Sequence, residues 1–178
     1  MESKTGTIQV LRCGIKIDIF VIENTYDNKL LRTIHGLRSE AGLLMLSCYR
    51  MHKWKTDYLE MAGDNKKAAG LIKLKAFLGA IAAILPNGGF NHVQRVMASC
   101  RNNRSRYVVI PSGRKHFFGE VYERASYMPT IMMEFEDTFF RVSKGYDEYM
   151  TRLYGDYMTP PPETEREHHV LYDIKFEV

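Results

Sequence analysis

The sequence predicts an α+β domain, and three observations carry that prediction. Near the start, Thr7 to Ile22 alternates with a period of two, placing Ile15, Ile17, Ile19 and Val21 on one face and Lys16, Asp18, Phe20 and Ile22 on the other. From Lys29 to Cys100 the apolar residues instead recur at helical spacing. After that, β-branched and aromatic residues return in short runs bounded by Pro, Gly and acidic pairs.

Taken in order, Glu23-Asn24-Thr25-Tyr26-Asp27-Asn28 reads as a turn closing the first strand. Leu30, Ile34, Leu37, Ala41 and Leu44 then mark a long amphipathic helix from Lys29 to about Trp54. A polar break at Gly63-Asp64-Asn65 precedes a second helix, Lys66 to Leu85, and Pro86-Asn87-Gly88-Gly89 separates it from a third, Phe90 to about Cys100. Tyr107 to Ile110 reads as a strand closed by Pro111-Ser112-Gly113. Thr130 to Phe135 and Thr138 to Val142 read as a hairpin meeting at Glu136-Asp137. A short helix with Tyr146, Tyr149, Met150 and Leu153 on one side stops at Gly155, and Pro160-Pro161-Pro162 follows. No repeat, low-complexity tract or linker divides the 178 residues, so a single domain over 1–178 is expected.

At 45% hydrophobic and 26% charged, the chain has the composition of a globular domain with a core. A formal charge of +4 and an isoelectric point near 8.9 suit an anionic ligand. No single basic stripe with interleaved aromatics is present, and nucleic acid is not the expected partner. Cys13, Cys48 and Cys100 are far apart and read as reduced, partly buried small hydrophobes, which points to a cytoplasmic compartment. Residues 1 to 7 are polar and carry no signal-peptide core. Ala76 to Leu85 is too short to span a bilayer, which takes about 20 apolar residues. It reads either as a buried core helix or, with Lys73 and Lys75 before it, as a helix resting on the inner membrane face.

Asp18 stands alone in an apolar strand, and burying it unpaired would be costly. Either a cation neutralises it or it lies at a sheet edge in water. Glu134 and Glu136 alternate on a strand as a metal pair would, yet a surface hairpin accounts for them. His168 and His169, adjacent on an extended segment, point to opposite faces and do not suit one metal ion. For the segment from Tyr154 to His169 two readings stay open: a loop zipped by its own hydrogen bonds, or a ligand-binding wall.

The run Tyr154-Gly155-Asp156-Tyr157-Met158, followed by Pro160-Pro161-Pro162-Glu163, Arg166 and His168-His169, resembles the C-terminal signature of the LicD-type phosphorylcholine transferase family. Gly14-x-x-Ile17-Asp18-Ile19-Phe20, with Asp27-Asn28 after it, resembles the segment that supplies the third carboxylate of that family's metal site. Phe135-Glu136-Asp137 and Val142-Ser143-Lys144-Gly145 match a further turn and segment of it. The resemblance covers about residues 8 to 28 and 107 to 178.

It implies a nucleotidyltransferase-like mixed sheet packed with helices. It implies too a phosphotransferase that moves phosphorylcholine, or a related phospho-alcohol, from a CDP-linked donor to a sugar hydroxyl on a cell-surface glycan, with Mg²⁺ as cofactor. Asp18 would be the catalytic metal ligand. Lys144 and Arg166 would contact phosphate, and Tyr154, Asp156, Tyr157 and His168 or His169 would bind donor or acceptor. The family's Asp-x-Asp pair, which stands upstream of this strand, is absent here, since Glu2 is the sole carboxylate before Asp18. The expectation is an N-terminally shortened member, active only if other carboxylates complete the site. The alternative is a non-catalytic remnant that binds nucleotide or a partner subunit. A strand left uncovered at residues 8–22 would favour a homodimer.

Overall fold

A computed structural model of the chain describes residues 19–165. They fall into two compact units, Ile19–Gly145 and a second whose described part is Tyr146 to Glu165. The first unit contains β1 (Glu23–Asn24), α1 (Lys29–Lys53), α2 (Lys55–Ala62), α3 (Lys66–Ala82), α4 (Phe90–Met97), β2 (Tyr107–Val109), α5 (His116–Gly119), β3 (Val121–Glu123), α6 (Arg124–Tyr127), β4 (Thr130–Phe135) and β5 (Thr138–Ser143). The second contains α7 (Tyr146–Tyr154) and a 3-10 turn at Glu163–Glu165.

The α+β class holds, with one change to its sheet. β1, β2 and β3 form a three-stranded sheet in that order, and β4 with β5 forms a separate hairpin. Every strand pair among the described residues is antiparallel, so the mixed sheet is not found there. The first strand is also displaced. Residues 7–18 of it lie outside the described residues, Ile19 to Ile22 are irregular, and the paired strand is Glu23–Asn24, which the sequence reads as a turn. Distant partners explain this: Asn24 hydrogen-bonds Arg124 and Asn103, and the Thr25 amide donates to the Tyr107 carbonyl at 3.3 Å.

The helices begin where polar caps predict them. The Asn28 side chain accepts from the Leu31 amide at 3.1 Å and that of Asn65 from the Ala68 amide at 3.1 Å, each satisfying a donor that the first helical turn leaves open. The first helix breaks at Trp54, and α2 follows as an element the apolar spacing leaves unassigned, ending at Gly63 with φ +50°. Asn87, Gly88 and Gly89 are all left-handed, and together they turn the chain by 105° between α3 and the segment that carries α4. Gly88 is required there, since a Cβ would stand 2.3 Å from the Tyr49 ring.

The core of this unit gathers Val93, Val96 and Met97 of α4, Val108 and Val109 of β2, and Phe117 and Tyr122 from the following loop and strand. His35 ties it together. Its Nε2 faces the carbonyls of Val96 at 3.1 Å and Met97 at 2.9 Å, so it carries the proton, and Nδ1 accepts from the Thr25 hydroxyl at 3.1 Å. Burial holds its pKa below the ordinary 6.5. Cys48 and Cys100 are buried and unbridged.

The buried reading of Ala76 to Leu85 is corrected in part. Only the small residues Ala76, Gly79 and Ala82 face inward, whereas Phe77 is 73% and Ile81 66% exposed. In the second unit, Leu153 is the buried residue of α7, and Gly155 ends the helix at φ +73°, as the pattern predicts.

Candidate functional site

The signature segment starts from the left-handed Gly155, beyond which the chain closes on itself. Asp156 Oδ2 accepts from the Thr159 hydroxyl at 2.7 Å and Oδ1 from the Thr159 amide at 3.3 Å. Hydrogen bonding to Thr159 holds the Asp156 carboxyl below its ordinary 3.8, so it stays ionised. Tyr157 donates its hydroxyl to Asp147 Oδ1 at 2.7 Å, on the first turn of α7. Because the phenol would have to give up that bonded proton beside the Asp147 carboxylate, its pKa is pushed up to about 12. Both residues therefore hold the loop's own shape. Tyr154, on the last turn of α7, is half exposed.

An ionised Asp156 can only accept hydrogen bonds, and it accepts two from Thr159. Lys144 is exposed just past the end of β5. Its position is fixed by the backbone: the Lys144 amide donates to the Pro129 carbonyl at 2.7 Å, and the Ser143 hydroxyl bonds the Tyr127 carbonyl. Lys144 belongs to the Ile19–Gly145 unit, and Tyr154, Asp156 and Tyr157 to the other. Asp18, Arg166, His168 and His169 lie outside the described residues.

Glu134 and Glu136 sit in the expected hairpin, with Phe135 opposite Thr138 and Glu136 at the first corner with φ +54°. Among the described residues, no three His, Cys, Asp or Glu side chains converge as a metal site. A Mg²⁺ ion takes several hard oxygen ligands, and the described carboxylates do not provide that set.

Two features escape the sequence reading. The first is a cleft of about 410 Å³ lined by Ile19, Val21, Glu23, Phe90, Gln94 and Ser112, among others. Burial raises the Glu23 carboxyl above its ordinary 4.5. Extending the period-two pattern by one step would have put Glu23 on the face of Ile19 and Val21. The second is the loop between β2 and β3, held by two carboxylates. Glu40 Oε1 accepts from the Phe117 amide at 2.8 Å, and the wholly buried Glu120 accepts from the Lys115 amide at 2.7 Å. A Cβ on Gly113 would stand 2.3 Å from both Glu120 oxygens, so the loop can close over that carboxylate only with glycine there. No sequence signal marks Glu120, because its burial depends on this loop.

No protein-family model matches the chain, and no solved structure does. Over 52 residues it is 46% identical to lipopolysaccharide cholinephosphotransferase LicD of Haemophilus influenzae. That match takes in 25% of this chain and 20% of the relative, so the chain spans about a fifth of that protein's length.

Proposed function

We propose that this chain serves phosphotransfer, moving phosphorylcholine or a related phospho-alcohol from a CDP-linked donor to a sugar hydroxyl of a cell-surface glycan. The observation that carries the reading is the local 46% identity to a lipopolysaccharide cholinephosphotransferase. In that reaction the sugar hydroxyl releases its proton to water, its oxygen bonds to the phosphorus that bears the alcohol, the bond to the nucleotide phosphate breaks, and CMP leaves with the negative charge. Such in-line transfer needs positioning and charge stabilisation more than covalent chemistry. Lys144 and Arg166 supply the positive charge in this proposal, and Asp18 is the catalytic carboxylate and metal ligand. Tyr154, Asp156, Tyr157, His168 and His169 form the substrate wall, with the ionised Asp156 turned to a hydroxyl or to a quaternary ammonium head. The reaction belongs at the inner face of the membrane, where a lipid-linked glycan is accessible from the cytoplasm.

A second reading has its own observation. Asp156 and Tyr157 already bond Thr159 and Asp147, which favours a loop whose role is structural and a chain that binds nucleotide or a partner subunit without turnover. The two are separated by supplying CDP-choline, a lipooligosaccharide acceptor and Mg²⁺, and measuring CMP release beside calorimetric binding. Turnover abolished by Asp18→Asn and weakened by Lys144→Ala supports the transferase. Binding without turnover supports the second reading, and neither binding nor turnover overturns both.

A further inference from the structure

The outward side of α3 is built opposite to the usual surface helix. At 3.6 residues per turn, Leu71, Leu74, Phe77, Leu78 and Ile81 fall within an arc of about 120°, on the far side from Ile72, Ala76 and Gly79. The helix thus packs inward with small residues and turns its large apolar ones to solvent. Phe77, at 73%, and Ile81, at 66%, are among the most exposed, and the ridge continues past the helix end to Ile84, at 81%.

Along α3 itself every charge is positive, with Asp64 standing just before the helix. Lys66 and Lys73 border the arc along one side, and Lys67 stands at its N-terminal end, all three exposed. From Asn65 to Gly119 the sequence has ten Lys and Arg and no Asp or Glu. An exposed apolar face of this kind marks an interaction surface.

We infer that the α3 ridge docks on an anionic lipid bilayer, with its apolar side chains at the acyl boundary and the flanking lysines among lipid phosphates. Charge complementarity selects this occupant. A second copy of the same face would bring Lys66, Lys67 and Lys73 against their own kind, with no carboxylate in that stretch to pair them. Lipid phosphates neutralise them, and long lysine stems let the ammonium groups reach the head groups while the ridge sinks below. The helix lies in the interface rather than crossing it, since no single helix among the described residues is long and apolar enough to span. This inference does not depend on the transferase reading.

The test is flotation of the full chain with vesicles of phosphatidylcholine alone and of phosphatidylcholine mixed with phosphatidylglycerol. Binding is expected to the mixed vesicles and to weaken with salt. Phe77→Asp with Ile81→Asp should lower partitioning about tenfold or more, and Lys66→Ser with Lys73→Ser should lower it about tenfold on anionic vesicles only. All four side chains are exposed, and circular dichroism checks that each variant stays folded. Failure to float with anionic vesicles, or flotation unchanged in the Phe77→Asp/Ile81→Asp variant, overturns the inference. A dimer in sedimentation that Phe77→Asp disperses, without lipid binding, assigns the face to a second copy and overturns it equally.

Discussion

Gly79 meets the Cys48 carbonyl so closely that a Cβ on it would stand 2.0 Å from the oxygen. Helices α1 and α3 therefore touch backbone to backbone, and His52 Nδ1 reinforces the crossing by donating to the Ala76 carbonyl at 3.1 Å. This contact decides which side of α3 turns inward, and so leaves Phe77 and Ile81 facing out.

Gly79→Ala should therefore destabilise the protein by about 2 kcal/mol or more, because the obstacle is main chain and cannot swing aside. Gly70, in the same helix, has open space around its Cβ position. Gly70→Ala should stabilise by roughly 0.5–1 kcal/mol through helix propensity alone. Denaturant unfolding of the two variants gives opposite signs if the packing is as described.

The Gly113 and Glu120 pair predicts non-additivity. Gly113→Ala alone should cost about 1–3 kcal/mol as the new methyl collides with the carboxylate. Glu120→Ala alone leaves the Lys115 amide without its acceptor and costs a comparable amount. Combined, the loss should be smaller than the sum, since the collision disappears with the carboxylate. A double-mutant cycle by chemical denaturation measures this coupling.

His35 predicts a pH dependence of stability. Its folded pKa lies below the unfolded value of 6.5, so in the window beneath 6.5 the unfolded chain binds the proton that the folded one refuses. The stability it contributes is present above 6.5 and is lost as pH falls toward the folded value. Glu23 acts with the opposite sign: its raised folded pKa adds stability as pH falls through that value toward 4.5. Unfolding midpoints across the acid range should show a shallower decline in His35→Gln and a steeper one in Glu23→Gln than in the parent chain.

Tyr157 should resist ionisation. With its phenol pushed up to about 12, its ring resonances should stay unshifted at pH values where exposed tyrosines titrate. Asp147→Asn removes the carboxylate and should return Tyr157 toward its ordinary 10. NMR of ring-labelled tyrosine follows this, and an early titration in the parent chain would mean that the bond to Asp147 does not form.

Features whose causes lie within a few residues are legible in the chain alone. Asn28 and Asn65 begin helices because a side-chain oxygen reaches an amide three positions on, and Gly155 ends one because it takes the left-handed conformation at little cost. The hairpin at Glu136-Asp137 is legible in the β-branched and aromatic runs on both sides of that acidic pair. The signature segment was legible as unusual, while its internal bonds, Asp156 to Thr159 and Tyr157 to Asp147, emerged only in three dimensions. Tertiary structure alone decided the strand at Glu23–Asn24, where Asn24 is bonded by an arginine 100 residues later, and the burial of Glu120 beneath Gly113. It also decided the exposure of Phe77, in a stretch whose composition suits either a core helix or a helix lying on a membrane face. Local hydrogen bonds and backbone preferences are properties of neighbours in sequence, but burial belongs to surfaces that meet from distant parts of the chain. A stretch as apolar as Ala76 to Leu85 could therefore announce its character without announcing its direction.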